Sequence, residues 1–154
     1  MDQKEAAAKS GQQVQTVLLN RLQEIRVAMG DKAATTRPVD SALPVEWGSF
    51  ASDIKQLKAM KTEDAPRLRS DFEQTLIEIA WFELYFNQSP ADAKPMLEAL
   101  KQLLPDDSPL LARLEGWSFL ARRENDAAKV KLSAVKDKDP LAELGLIKLM
   151  DAAA

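Results

Sequence analysis

Glu78 and Glu83 are the pair of carboxylates to weigh first for acid and base chemistry, since carboxyl pKa values rise on burial in an apolar pocket. Five-residue spacing puts them on different faces of a helix, which opposes a joint role. The other reactive side chains are missing: the 154 residues include no His and no Cys. That removes an imidazole base, a thiol nucleophile, the usual zinc sites and any disulfide. A di-iron helical bundle is excluded on the same ground, because its Glu-x-x-His ligand pairs need histidine. Gly116 and Gly145 stand isolated within helical segments, so no glycine-rich phosphate loop is present. The expected role is non-catalytic, with no metal and no cofactor.

The elements that would carry any other role follow from composition. With 45% hydrophobic and 29% charged residues, the chain fits one ordinary soluble, globular domain. A net charge of -3 and a pI near 5.1 supply no positive field for nucleic acid and argue against anionic membranes. The longest aliphatic-aromatic run, Ile79-Ala80-Trp81-Phe82, is too short for membrane insertion. No signal peptide is visible in Met1-Asp2-Gln3-Lys4-Glu5, which favours the cytoplasm. Absence of cysteine leaves the compartment open.

Apolar residues recur with helical periods throughout, so the fold class is all-α. A first helix spans 2–29, with Val14, Leu18, Leu22, Ile25 and Met29 on one face, preceded by an exposed lead-in at Glu5 to Lys9 that Gly11 weakens. That stripe covers about two heptads, short for a dimerising seam, and is expected to pack on its own domain. A breaker-rich loop runs from Gly30 to about Pro44. A second helix, from about Val45 to Met60, carries Trp47, Phe50, Ile54 and Leu57, with Gly48 in its first turn. Thr62 or Asp64 caps a third helix running to about Asn87. Ser89-Pro90 opens a fourth to about Leu104, loosened or bent near Pro95, and Ser108-Pro109 opens a fifth to about Glu124. Asn125 or Asp126 caps a sixth to about Lys136, and Asp139-Pro140 opens a seventh. The division is residues 1–61, an N-terminal helical segment, and 62–154, a helical repeat region.

A shift of 35 residues sets Ala93-Lys94 on Ala128-Lys129, Leu97 on Leu132, Ala99-Leu100-Lys101 on Ala134-Val135-Lys136, and Pro105 on Pro140. Setting Trp81 on Trp117, 36 apart, is nearly as good. This period suits a stacked two-helix unit whose open apolar face the next unit covers.

These residues resemble the tetratricopeptide repeat (TPR) family over about residues 74–154. In the unit at 109–142, Gly116, Phe119, Ala128, Leu132, Val135 and Pro140 fall at that family's separations; the unit at 74–107 offers Trp81, Leu84, Ala93, Leu97, Leu100 and Pro105. Trp81 replaces a small residue and Glu115 an apolar one, and a partial third unit starts near 141. The resemblance implies antiparallel helix pairs stacked as a short right-handed solenoid, preceded by two N-terminal helices. It also implies a concave groove for a peptide or partner helix, lined by Glu78, Phe82, Tyr85 and Phe86 from one unit and by Arg113, Trp117, Leu120 and Ala121 from the next.

That groove is aromatic and apolar, suited to protein–protein interaction with a peptide, another part of a longer parent chain or a second copy. Some members of the family grip a C-terminal carboxylate with Lys, Asn and Arg; Glu78, Phe82 and Trp117 occupy those positions here, so such a clamp is disfavoured. Arg113 is expected at the surface, solvated or paired. The alternative is a structural or oligomerisation domain, its groove filled by the chain's own helices at 14–29 or 45–60. Short basic strings such as Arg122-Arg123 and Lys129-Val130-Lys131 read as solvated helix faces.

Overall fold

A computed structural model describes residues 3–30, 47 and 50–153. Among them the chain forms seven α-helices and one π-helical turn, with no strand. The helices are α1 (Gln3–Ala28), α2 (Phe50–Ala59), α3 (Ala65–Trp81), α4 (Pro90–Leu103), α5 (Pro109–Ala121), α6 (Asn125–Val135) and α7 (Pro140–Ala153). The turn, Phe82–Phe86, follows α3. Beyond Gly30, the expected loop to Pro44 lies outside the described residues, as does Val45. Contacts divide the chain into Met1–Ile79 and Ala80–Ala154, rather than into the expected 1–61 and 62–154.

In the first unit, α1 runs unbroken through Gly11 and buries Leu18, Leu19, Leu22 and Ile25, and Met29, just past its end, is buried as well. Val14, expected on that stripe, is exposed, and Leu19 takes its share of the buried face. α2 starts at Phe50 rather than near Val45 and buries Phe50, Ile54 and Leu57; Trp47 stands half-buried outside the helix. Gly48, expected in the first turn of this helix, lies outside the described residues. α3 buries Leu68, Phe72, Leu76 and Ile79, a stripe at helical spacing. Each such side chain contributes about 1.5–3 kcal/mol on leaving water.

In the second unit, proline and serine set the helix starts as their chemistry requires. Ser89 Oγ accepts from the Asp92 N–H and donates to its carboxylate, while Ser108 Oγ accepts from the Leu111 N–H. Pro90 and Pro109 occupy first-turn positions, where no N–H is needed, and α4 continues through Pro95. α6 departs from expectation: its first residue is Asn125, and Glu124 at the cap position makes no side-chain capping bond. α5 contacts α4, α6, α7 and the π-helical turn, and α6 contacts α7.

α5 also ends at Ala121, three residues short of the expected Glu124. There Arg123 adopts a left-handed conformation, φ 61°, with its N–H on the Leu120 carbonyl and the Glu124 N–H on that of Phe119. This bond pair closes a helix end best with glycine, which has no Cβ to strain. Arg123→Gly is therefore expected to stabilise the protein by about 1 kcal/mol, read as a raised urea midpoint with unchanged slope. A lowered midpoint would show that the guanidinium does more than end the helix.

Candidate binding face

The helix expected to reach Asn87 widens after Trp81. The Asn87 N–H donates to the Phe82 carbonyl at 3.2 Å and the Ser89 N–H to that of Glu83 at 2.8 Å, so the last turn is looser than an α-helix. Gln88, at φ 51°, then reverses the chain. Within this turn Phe82, Glu83 and Leu84 are buried, while Tyr85 and Phe86 are 42% and 48% exposed.

The turn makes two parallel ring pairs at four-residue spacing. Trp81 stacks on Tyr85, centroids 5.1 Å apart, and Phe82 stacks on Phe86 at 5.2 Å. Trp117 of α5 meets Trp81 edge-on at 5.0 Å and Tyr85 at 5.6 Å. Such contacts are worth about 0.5–1.5 kcal/mol each beyond area burial. Trp117 is only 3% exposed, and its indole N–H donates to the Leu141 carbonyl at 3.0 Å.

Arg113, one turn before Trp117, is buried rather than at the surface. Its Nη1 lies 3.4 Å and 3.5 Å from the two Asp139 carboxylate oxygens, and its guanidinium faces the Trp81 ring at 5.1 Å. Burial pushes the Arg113 pKa down, and the neighbouring Asp139 carboxylate draws it partly back up. Guanidinium keeps its proton in proteins, so this is a fixed charge. Asp139 Oδ1 also accepts the Leu141 N–H at 3.0 Å. Arg113 and Trp117 together tie the start of α7 to α5.

The eight residues expected to line one groove therefore divide. Phe82, Arg113 and Trp117 are buried, Leu120 and Ala121 half-buried, and Tyr85 and Phe86 exposed. Glu78 belongs to the first unit, where it is paired with Arg21 of α1. Glu83, the other carboxylate weighed for acid and base work, is buried and accepts the Asn87 side-chain amide at 3.0 Å. Sequence reasoning missed Lys148 of α7, whose ammonium faces Tyr85 at 5.0 Å and Trp117 at 5.6 Å. Its signal was faint, a lone cation among Leu144, Leu146, Ile147 and Leu149.

Two clefts lie elsewhere. One of about 370 Å³ lies between α4 and α5, with Leu97, Glu98, Glu115 and Phe119 among its walls; Glu115 is paired with Lys131 at 3.1 Å. Another, of about 440 Å³, belongs to the first unit and is walled by residues of α1 and α3, including Arg21, Asp71 and Thr75. Among the described residues no group of acidic side chains is placed to hold a metal ion, and no helix is long and apolar enough to cross a membrane. Comparison with known proteins finds no matching family model, no similar curated protein and no similar solved structure.

Proposed function

We propose that the chain is a non-catalytic protein-interaction module, whose second unit presents Tyr85 and Phe86 to a peptide or partner helix. One observation carries this reading. Each exposed ring is stacked on a better-covered one, Tyr85 on half-buried Trp81 and Phe86 on buried Phe82, so each pair is anchored at one end and reaches solvent at the other. Rings held in place before a partner arrives lose little entropy on binding, and such anchors dominate interface energetics.

The TPR-like solenoid belongs to the same proposal. In a stack of helix pairs each helix touches its own partner and the next pair, which is the pattern α5 makes with α4, α6, α7 and the π-helical turn. Short connections between contacting helices favour antiparallel packing. Close approach is supported at Gly116, where an added Cβ would stand 2.6 Å from Leu132 Cδ2, and at fully buried Ala128.

A specific observation favours the alternative of self-association: Ile147 and Met150 of α7 are 44% and 65% exposed. Both readings meet one test. The protein and a Tyr85→Ser, Phe86→Ser variant with unchanged helical circular dichroism are used as bait, and their masses are followed by light scattering over a concentration series. Loss of captured partners by tenfold or more in the variant is expected. Equal capture overturns the open-ring reading, and a concentration-dependent dimer abolished by Ile147→Glu, Met150→Glu replaces it with self-association.

A further inference from the structure

The stacked rings of the second unit are layered between two cations. Arg113 faces the Trp81 ring at 5.1 Å, Trp81 stacks on Tyr85 at 5.1 Å with planes 15° apart, and Lys148 faces Tyr85 at 5.0 Å. A ring covered on one side by its stacking partner takes a cation on the other, so the order is Arg113, Trp81, Tyr85, Lys148. The Trp117 plane stands 70° from that of Tyr85, and Lys148 Nζ lies 5.6 Å from its centroid. The ammonium thus occupies a corner between two steeply inclined rings, the geometry in which ring quadrupoles add.

The two cations are held very differently. Arg113 is buried and ion-paired with Asp139. Lys148 is exposed, and among the described residues no carboxylate lies within ion-pair distance of it. Its primary ammonium is strongly hydrated, and ordering its four-carbon stem removes rotamer freedom. Tethering, which gives a high effective concentration, is what keeps it over the rings.

We infer that the corner of Tyr85 and Trp117 is a binding site for the trimethylammonium group of a methylated lysine on a partner protein, with Lys148 as its intramolecular placeholder. This rests on the reading of the Tyr85 face as a binding surface and names the partner's chemistry. An unmethylated lysine arriving from outside offers what Lys148 offers, without the tether, and loses the competition. Methylation weakens hydration while retaining the charge, so the ring faces replace less lost water and the methyl groups fill the corner.

The test follows the indole N–H signals of Trp81 and Trp117 by nuclear magnetic resonance. A short peptide carrying trimethyl-lysine, its unmethylated counterpart and free choline are titrated into the intact protein, Lys148→Ala and Tyr85→Leu. Saturable shifts with the trimethylated peptide, weaker ones with choline and none with the unmethylated peptide are expected, the peptide binding about threefold to tenfold tighter in Lys148→Ala once the tethered competitor is gone, and losing its site in Tyr85→Leu. No saturable shift in Lys148→Ala, equal binding by Tyr85→Leu, or equal binding of the unmethylated peptide overturns the site. Choline binding as tightly as the peptide overturns the protein partner. If the Tyr85, Phe86 double variant still loses captured partners while no ammonium binds, only the ammonium assignment falls.

Discussion

Asp53→Ala is expected to destabilise the first unit by about 3–5 kcal/mol. Arg26 of α1 and Asp53 of α2 are 8% and 2% exposed, and the guanidinium grips the carboxylate twice, Nε to Oδ1 at 2.9 Å and Nη2 to Oδ2 at 2.8 Å. Removing the carboxylate leaves a guanidinium in the interior with the Phe50 ring, 5.9 Å away, as its remaining described cationic contact. Its desolvation is then uncompensated. The double replacement Arg26→Met, Asp53→Leu is expected to recover most of the loss, because apolar side chains of similar size fill the space without a charge to bury. A surface comparison is Arg67→Ala, which breaks the exposed Arg67–Asp64 pair at the start of α3 and is expected to cost no more than about 0.5 kcal/mol. Urea unfolding followed by circular dichroism separates these cases. A loss below about 1 kcal/mol for Asp53→Ala would show that water reaches the pair.

The second large effect centres on Leu132. An added Cβ at Gly116 of α5 would stand 2.6 Å from its Cδ2, and one at Gly145 of α7 would stand 2.7 Å from its Cδ1. Leu132 is fully buried, and retreat from one helix drives it into the other. The Gly145 position is also 3.2 Å from Trp117 Nε1, whose hydrogen bond holds the start of α7. Alanine favours a helix over glycine by about 1 kcal/mol, yet Gly145→Ala is expected to destabilise by about 1–3 kcal/mol through overpacking. Leu132→Ala alone is expected to cost about 2–5 kcal/mol by opening a cavity. Combined, each relieves the other, so the double variant should be more stable than the sum of the singles by at least about 1 kcal/mol. Additive losses, or a stabilised Gly145→Ala, would mean that α7 shifts to make room.

The stripes that build both units were legible because burial follows the helical period. Leu18, Leu22, Ile25 and Met29, then Phe50, Ile54 and Leu57, are buried as their spacing predicts. The self-match held in part: Ala93 and Ala128, Leu97 and Leu132, Leu100 and Val135 are buried pair by pair, whereas Ala99 is buried and Ala134 exposed. Pro105 and Pro140 do not follow, since Pro105 lies in the connection after α4 whereas Pro140 is the first residue of α7. The buried Arg26–Asp53 pair had left a trace, each residue sitting on its helix's apolar stripe, three or four positions from Leu22 and Met29 or from Phe50 and Leu57. A charge in such a place needs a partner, but one chain position does not say which.

The binding face was less legible. The expected groove treated Glu78, Phe82, Tyr85, Phe86, Arg113, Trp117, Leu120 and Ala121 alike, and only their surroundings separate buried from exposed. The widened turn at Phe82–Phe86 sets Tyr85 and Phe86 outward, and its bonds depend on where α4 begins.

By itself the sequence determined that this chain is helical, where most helices start, and most of the apolar stripe that each helix buries, because capping and amphipathic periodicity act within a few residues of one another. Only the tertiary structure decided that Arg113 is interior, that Lys148 meets Tyr85 and Trp117, and that Leu132 is wedged between two glycines. Those outcomes depend on distances between helices that are remote along the chain, and side chains within ångströms of each other, rather than their order, set the balance of burial, charge and contact.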